Sequence, residues 1–306
     1  MRAWLDEPKL IPVRDKIVLS LTPKKYQFRR VDPVIFICGG QGSVSRDTLR
    51  DYLRKRHPNL NIFYAERVWE AIAASPGLGS LKMESDLAAF SDIVIIIVES
   101  PGTFAELGAF SHVKALRKKL LPVVDIKHQG ANSFVNTGPL RWIDQESDFG
   151  PTIWCPLDKI LVCSHEVDQR IQRIPRASPS EVSDLSISRK HLLFFICDLV
   201  GVIAPATIAT IEYFLGEIIP KAPPSDIDVP MLVGLAEAMG LLRKDILQFG
   251  PGRAETFFSA ADPGALGSPY HRIKWIDLPN LRSEYLSKLL IIPEALQAMR
   301  EVSAHR

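Results

Sequence analysis

Cysteines and long hydrophobic runs are both scarce in this chain, which argues against several kinds of protein. Its 306 residues include four cysteines, with neither a Cys-x-x-Cys pair nor metal-ligand spacing. We therefore predict no metal site and no disulfide framework, and expect small buried thiols in a reducing cytoplasm. The longest apolar stretches, Ile93 to Val98 and Leu199 to Ala206, are too short to cross a bilayer.

The chain also has almost no excess charge. Its formal net charge is +2, which argues neither for nor against a nucleic-acid partner. The first residues have no apolar core of the kind found in signal peptides, so we expect a cytoplasmic protein with no membrane partner. Basic side chains do crowd one early segment, as a solvated arm or as a surface for a polyanion. These side chains are Lys24, Lys25, Arg29 and Arg30.

The most informative segment is an apolar run followed by a short polar turn and a helical pattern. Ile93 to Val98 is almost wholly Ile and Val, which predicts a strand buried on both faces of a parallel sheet. Glu99 and Ser100 follow, then Pro-Gly and a helix. Ligands of open α/β sheets bind beyond the carboxyl ends of strands, where helix amino termini also point. Glu106, one turn into this helix, is therefore placed for chemistry.

A structural role for Glu106 is equally compatible with the spacing. Thr103-x-x-Glu106 matches a capping box, in which both side chains satisfy amide groups at the start of a helix. The two roles are not exclusive, because a capping carboxylate could also be held rigid for catalysis.

A second apolar strand, Val34 to Cys38, ends in Gly39, Gly40, Gln41 and Gly42. Such a cluster lets a backbone approach a ligand closely and presents amides to a phosphate or ribose. It matches neither a Rossmann nor a Walker sequence, so an ordinary strand-to-helix turn explains it equally well. With a further strand at Leu120 to Asp125, the alternation of strands and helices predicts an α/β fold with a doubly wound parallel sheet.

The length and the proline pattern predict more than one domain. We expect an N-terminal basic segment over residues 1–30, the α/β domain over 31–146 and a connecting region over 147–184. Residues 185–306 show three helical patterns and a hairpin, the order of a winged helix. Residues 231–240, the third helix, contain no Arg or Lys, so we do not expect it to read bases. The nearby cations are Arg243, Lys244 and Arg253.

Several strings resemble the nucleoside deoxyribosyltransferase-like N-glycosidases. They are Cys-Gly-Gly at 38–40, an Asp-hydrophobic strand start at Asp92 with the family's preceding alanine displaced to Ala89, and Gly-Thr-x-x-Glu-Leu-Gly at 102–108. A closer resemblance is to the effectors encoded with bacterial retrons, in the branch with a C-terminal winged helix. It is carried by residues 35–40, 61–64, 99–111 and 133–139, and it covers roughly residues 31 to 145 well.

This resemblance implies a toxin effector of an anti-phage retron system, an N-glycosidase that hydrolyses NAD or a related nucleotide. NAD would be a substrate, with no cofactor and no metal. The implied partners are the retron reverse transcriptase and its multicopy single-stranded DNA-RNA, which would hold an oligomeric effector inactive. Glu106 would be catalytic, and Asp92 is only a weak candidate. The implied substrate-binding residues are Gly39, Gly40, Gln41, Glu99, Ser100, Gly102, Thr103 and Asn136.

Two other functions fit the residues. A nucleotide sensor would keep the pocket without catalysis, and a winged-helix regulator would act through DNA binding. Asn136 lies in a polar loop, and it either holds the active site, contacts a neighbouring subunit or forms an ordinary turn. Release of nicotinamide from NAD separates the enzyme from both alternatives.

Overall fold

The computed structural model describes residues 4–22, 27–28, 33–58, 60–64, 90–175, 180–181, 189–219, 228–249, 252–262 and 276–304. The chain divides into two compact units. One, the sheet unit, is Asp32–Arg176, and the other, the helical unit, combines Met1–Val31 with Ala177–Arg306.

The described strands are β1 (Gln27–Phe28), β2 (Val34–Cys38), β3 (Asn61–Phe63), β4 (Ile93–Val98), β5 (Leu120–Asp125), β6 (Ile153–Cys155), β7 (Ser180–Glu181), β8 (Leu242–Gln248) and β9 (Ala254–Ala260). The described α-helices are α1 (Ile11–Ser20), α2 (Val44–Arg56), α3 (Pro101–His112), α4 (Lys114–Arg117), α5 (Arg141–Glu146), α6 (Ser164–Ile171), α7 (Arg189–Ile203), α8 (Ile208–Ile218), α9 (Val229–Ala238), α10 (Leu278–Leu289) and α11 (Pro293–Ala304).

The sheet unit is built on a five-stranded parallel sheet of order β3-β2-β4-β5-β6. β2 and β4 are buried along their whole length, as continuous Val/Ile runs require of a sheet covered on both faces. The predicted strands at 34–38, 93–98 and 120–125 are confirmed with the same bounds. The doubly wound α/β class is compatible with this sheet.

Helices cover the two faces of the sheet separately. Ile35 and Ile37 of β2 share a buried cluster with Leu49 and Leu53 of α2. Because successive strand residues point to opposite faces, Phe36 faces the other way. Its ring lies 6.4 Å from that of Phe110 in α3. The helix after β2 and the helix after β4 therefore lie on opposite faces.

Part of the predicted connecting region, 147–184, contributes to the core of the sheet unit. Its first part contributes β6, a 3-10 segment at Leu157–Cys163 and α6 to the sheet unit, with Ile153 and Val167 buried. The prolines at 151 and 156 flank a short edge strand, a position where proline is tolerated, and do not mark a linker. Of the predicted linker 178–184, residues 180–181 pair with β1, and the others lie outside the described residues.

The first residues also differ from the predicted basic segment. Helix α1 buries Val13 and Ile17 and packs against α8 and α10, so it belongs to the helical unit. Apolar contacts thus anchor it, and Lys16 adds an ion pair with Glu284 at 2.6 Å. The four basic residues noted above, at 24, 25, 29 and 30, lie outside the described residues.

The helical unit contains the predicted three helices, α7, α8 and α9, followed by the β8–β9 hairpin. Helix α9 is buried along its length except at Pro230 and Glu237, so it is not free to enter a DNA groove. The assignment as a winged helix stays a prediction. None of the helices in the described ranges is long and apolar enough to cross a membrane.

Candidate active site at the switch point of the sheet

The order of the strands creates a crevice between the ends of β2 and β4. After β2 the chain moves to one side for β3, and it then returns to place β4 on the other side of β2. Such a reversal leaves a crevice beyond the carboxyl ends of the two central strands, where open α/β sheets bind ligands. Gly39 and Gly40 follow β2 there, and Glu99 and Ser100 follow β4.

A hydrogen bond joins these two strand ends directly. The amide of Gly40 donates to Oε1 of Glu99 at 3.0 Å. A Cβ atom on Gly40 would lie 3.4 Å from Cβ of Ser100 and 3.6 Å from Oε1 of Glu99. Gly40, Glu99 and Ser100, which were predicted as site residues from separate parts of the sequence, therefore lie together.

Gly39 is explained by packing. A Cβ atom there would meet Cδ of Arg46 at 2.8 Å and Cβ of Arg46 at 3.0 Å. Arg46 is buried, and its guanidinium lies 4.2 Å from the ring centroid of Tyr64 at the end of β3. Burial raises the pKa of Tyr64, and its hydroxyl donates to Oδ1 of Asp47 at 3.0 Å. The contact between Arg46 and Tyr64 was not predicted from the sequence. An aromatic residue directly after a strand nevertheless indicated that Tyr64 lies at this end of the sheet.

The capping box lies three residues earlier than predicted. Helix α3 begins at Pro101, and Ser100 is its N-cap, accepting from the amide of Thr103 at 3.3 Å. Oγ1 of Thr103 accepts from the amides of Ser100 and Glu99, each at 3.0 Å. The predicted box from Thr103 to Glu106 is therefore wrong. Pro101 determines the position, because proline is favoured at the first helical residue. Thr103 is 1% exposed, so it holds the turn that carries Glu99.

Replacement of Thr103 by Ala is therefore expected to lower the free energy of unfolding of the sheet unit by about 1–2 kcal/mol. The hydroxyl serves two amides that face the sheet end, and both would lose their acceptor. Thr103→Ser, which keeps the hydroxyl, is the matched control. Urea denaturation measures both variants, and equal stability of Thr103→Ala and the parent would contradict this role.

The observed box leaves Glu106 outside the cap, in the second turn of α3. Gly102, Glu106 and Phe110 are spaced by four residues, so they share one face of the helix. Phe110 packs beside Phe36, the middle residue of β2. A crossover helix runs back along its sheet, so Glu106 lies one turn, about 5.4 Å, nearer the strand ends. At about 3.3 Å per strand residue this puts Glu106 nearly level with Cys38, the last residue of β2.

The carboxylate of Glu106 is held at the boundary between protein and solvent. The residue is partly buried, and its Oε2 atom is shielded from solvent. Gly102, one turn earlier, is exposed at the second helical position, where an amide has no acceptor within the helix. The amino terminus of α3 thus lies at the crevice, and the carboxylate of Glu106 lies on the next turn of the same helix face.

Gln41 lies at the tip of the turn that connects β2 to α2. Gly42 adopts a left-handed φ of +70°, which glycine accepts without strain. The amide of Ser43 closes the turn by donating to the carbonyl of Gly40 at 3.0 Å, and Ser43 caps α2. Gln41 is exposed there, on the α2 side of the crevice.

Asn136 braces a loop beyond β5. Its Nδ2 donates to the carbonyls of His128 and Ala131 at 3.0 and 2.8 Å. It begins a π-helical turn, Asn136–Leu140, that packs against α3. Asn136 therefore fixes the loop beside the helix of Glu106, and its role in substrate binding stays a prediction. Asp92 directly precedes β4, at the end of the sheet opposite the crevice, and its Oδ2 accepts from the amide of Val34 at 2.8 Å.

The four cysteines are free and buried, as expected. Within the described ranges, no cluster of His, Cys, Asp or Glu is arranged to hold a metal ion. The candidate site is thus composed of two carboxylates, backbone amides and a hydroxyl.

Comparison with known proteins points to one family. A family model described as STM3845 retron effector protein matches residues 42–244. An Escherichia coli protein named "Retron Ec86 putative ribosyltransferase/DNA-binding protein" is 37% identical over 133 residues, which cover 42% of this chain and 43% of the relative. The similarly named Escherichia coli protein of retron Ec73 is 36% identical over 125 residues, covering 38% and 40%. The chain thus aligns with less than half the length of these curated relatives. Since the family model matches more than half of the chain, this protein belongs to the STM3845 retron effector family.

Proposed function

We propose that this chain is the toxin effector of an anti-phage retron system and hydrolyses NAD, or a related nucleotide, at its N-glycosidic bond. The observation that carries the proposal is that Glu106, partly buried in the second turn of α3, lies outside the capping box formed by Ser100 and Thr103. The names of the two retron relatives support glycosyl transfer, because a ribosyltransferase breaks the same kind of bond.

Hydrolysis of the glycosidic bond of NAD requires little from the protein besides one carboxylate. The nicotinamide nitrogen of NAD is already cationic, so the base leaves as a neutral molecule with the bonding electron pair and needs no proton. Glu106 either attacks the anomeric carbon or stabilises the positive charge that develops on the sugar, as carboxylates do in retaining glycosidases. Water then adds to that carbon, and the products are ADP-ribose, nicotinamide and one proton.

The other residues of the crevice bind and orient the ribose. Glu99 can accept from ribose hydroxyls with the oxygen that does not hold the amide of Gly40. Ser100, which is half-buried, lies beside it. Gly40 has no side chain, so a sugar or phosphate can approach its backbone closely. Thr103 acts on these groups indirectly, by holding the turn at Glu99 and Ser100.

A substrate panel tests the proposal. The purified chain is incubated separately with NAD, nicotinamide mononucleotide, adenosine and deoxyadenosine, and free base is measured by chromatography. We expect base release from NAD above all. Calorimetric binding of NAD without release of base from any member of the panel would instead establish a nucleotide sensor.

The helical unit is proposed to dock to the retron reverse transcriptase and its multicopy DNA through backbone phosphates. A buried α9 cannot present base-reading side chains. Arg243 is committed within the unit, since it donates to Oδ2 of Asp245 at 3.2 Å and to the carbonyl of Val302 at 2.9 Å. Lys244 is partly exposed on the hairpin, and Arg253 is exposed there and lies 4.0 Å from a carboxylate oxygen of Glu255. These two cations are the proposed phosphate contacts.

The double variant Lys244→Glu/Arg253→Glu reverses both charges. It is therefore expected to bind the reverse transcriptase–DNA complex at least tenfold more weakly at low salt. The loss should shrink as salt rises, because phosphate contacts release counterions. Lys288→Glu, an exposed reversal on α10, is the matched control. Binding is measured across a salt series. Sequence-selective binding of the parent to one duplex would contradict phosphate docking and favour a DNA-binding regulator.

A further inference from the structure

A second cavity lies next to the crevice, on the α2 side of the sheet. It has a volume of about 480 Å³ and lies between the first turns of α2 and the 3-10 segment Leu157–Cys163. This α2 cavity is lined by Val44, Ser45, Thr48, Leu157, Asp158, Lys159, Ile160, Leu161 and Val162. None of these residues belongs to the proposed catalytic machinery.

The α2 cavity begins where the crevice ends. Gly40 and Ser43 close one turn through a 3.0 Å hydrogen bond, and Val44, the next residue, lines the cavity. Val44 is the fourth residue after Gly40, a span of at most about 14 Å for an extended chain and less across a closed turn. A ligand that lies against the backbone of Gly40 could therefore continue over the Gly40–Ser43 turn into the cavity.

The walls of the cavity are tied together before any ligand arrives. Oγ of Ser45 on α2 donates to the carbonyl of Leu157 at 2.9 Å. Leu157 and Ile160 are buried in the core of the sheet unit, which anchors the 3-10 segment. Because these lining elements are already ordered, they lose little conformational entropy when a ligand binds.

The lining suits a flat, mostly apolar group with some polar atoms. Val44 and Val162 are 78% and 70% exposed, so the cavity offers apolar surface directly to solvent. Thr48, Asp158 and Lys159 place a hydroxyl and two charges on the same walls. Ligand pockets of about 300–1,000 Å³ typically combine apolar walls with a few polar groups. A nucleobase, with two apolar faces and polar edges, has this chemistry.

We infer that the α2 cavity binds the second nucleoside of a dinucleotide substrate while the first ribose occupies the crevice at Glu99 and Glu106. The inference rests on the proposed function and narrows its substrate class to dinucleotides. The phosphates joining the two nucleosides would pass the first turn of α2, whose amino terminus favours negative charge. Nicotinamide mononucleotide would fill the crevice and leave the cavity empty.

Two variants of the lining test the inference by different means. Thr48→Phe fills the cavity from α2, and Val162→Glu places a carboxylate on its exposed wall. Val113→Glu, at a 42% exposed apolar position of the sheet unit that does not line the cavity, is the matched control. All three are made in the Glu106→Gln background, and calorimetry then measures binding of NAD, nicotinamide mononucleotide and adenosine monophosphate.

Both lining variants are expected to weaken NAD binding at least tenfold and to abolish binding of adenosine monophosphate. Binding of nicotinamide mononucleotide should stay within twofold of the parent, and Val113→Glu should change none of the three. Equal affinity of the parent and both lining variants for NAD would overturn the inference.

Failure of the proposed function gives a different pattern. In that case the Glu106→Gln parent binds neither NAD nor nicotinamide mononucleotide, and the wild-type chain releases no base. Binding of adenosine monophosphate to the Glu106→Gln parent then tests the cavity independently of the proposed function. Binding that Thr48→Phe abolishes supports a nucleoside site, and absence of binding to the parent overturns it.

Discussion

Glu106→Gln is expected to lower the release of nicotinamide from NAD by at least about 10³-fold, a loss in the range seen when a key charge-stabilising group is removed from an active site. The amide has almost the shape of the carboxylate but carries no charge to stabilise the developing sugar cation. The variant should still fold, because the cap of α3 is made by Ser100 and Thr103. We expect its free energy of unfolding to stay within about 1 kcal/mol of the wild type.

Two measurements are needed for this variant, a chemical denaturation curve and a time course of base release. Glu166→Gln, at an exposed position on α6 of the same unit, is the matched control and should retain full activity. If Glu106→Gln unfolds like the wild type and releases nicotinamide at the same rate, then Glu106 is not catalytic.

Gly40→Val is expected to reduce affinity for NAD at least tenfold while leaving the sheet core intact. The space at Gly40 is just sufficient for one carbon, since a Cβ would lie 3.4 Å from Cβ of Ser100 and 3.6 Å from Oε1 of Glu99. The additional methyl groups of valine would displace Glu99 or extend into the crevice that the ribose is proposed to occupy.

Gly40→Ala and Gly108→Ala serve as controls for this prediction. Alanine at 40 makes only ordinary contacts, and a Cβ at Gly108 would meet nothing within 4 Å. Both should bind NAD within a few-fold of the parent when titrated by calorimetry in the Glu106→Gln background. Unchanged affinity in Gly40→Val would remove the Gly40 turn from the site.

The sequence predicted the central strands because their burial leaves a strong pattern. The runs at 34–38, 93–98 and 120–125 are apolar on both faces, which a parallel sheet covered by helices requires. Ligands bind beyond the carboxyl ends of such strands, so the residues that directly follow them were predictable as site residues. The placement of Gly40, Glu99 and Ser100 beyond these strand ends follows from this pattern, and their role in substrate binding stays a prediction.

The details of the turn at α3 could not be fixed in the same way. Ser100-x-x-Thr103 and Thr103-x-x-Glu106 have the same spacing, and only the geometry imposed by Pro101 selects the first. Likewise, two adjacent glycines look alike in the sequence, yet Gly39 makes room for Arg46 while Gly40 faces Glu99. Contacts between residues that are distant in the sequence determine these roles, and the local spacing does not predict such contacts.

The elements within the predicted N-terminal segment and connecting region could not be predicted for a related reason. β6 has three residues and lies between prolines, so its local signal is that of a loop, and pairing with β5 alone defines it. Helix α1 was not predicted, because its apolar residues form no clear stripe along one face. Its buried Val13 and Ile17 find their partners more than 180 residues later in the chain, in α8 and α10.

Identification of the products that the purified chain forms from NAD decides whether Glu106 drives hydrolysis of the glycosidic bond of a nucleotide. Chromatography against standards of nicotinamide, ADP-ribose, nicotinamide mononucleotide and adenosine monophosphate resolves which bond breaks. We expect equal amounts of nicotinamide and ADP-ribose with the wild-type chain and intact NAD with Glu106→Gln. Intact NAD with the wild type, cleavage between the phosphates, or equal cleavage by both proteins would show that Glu106 does not catalyse this hydrolysis.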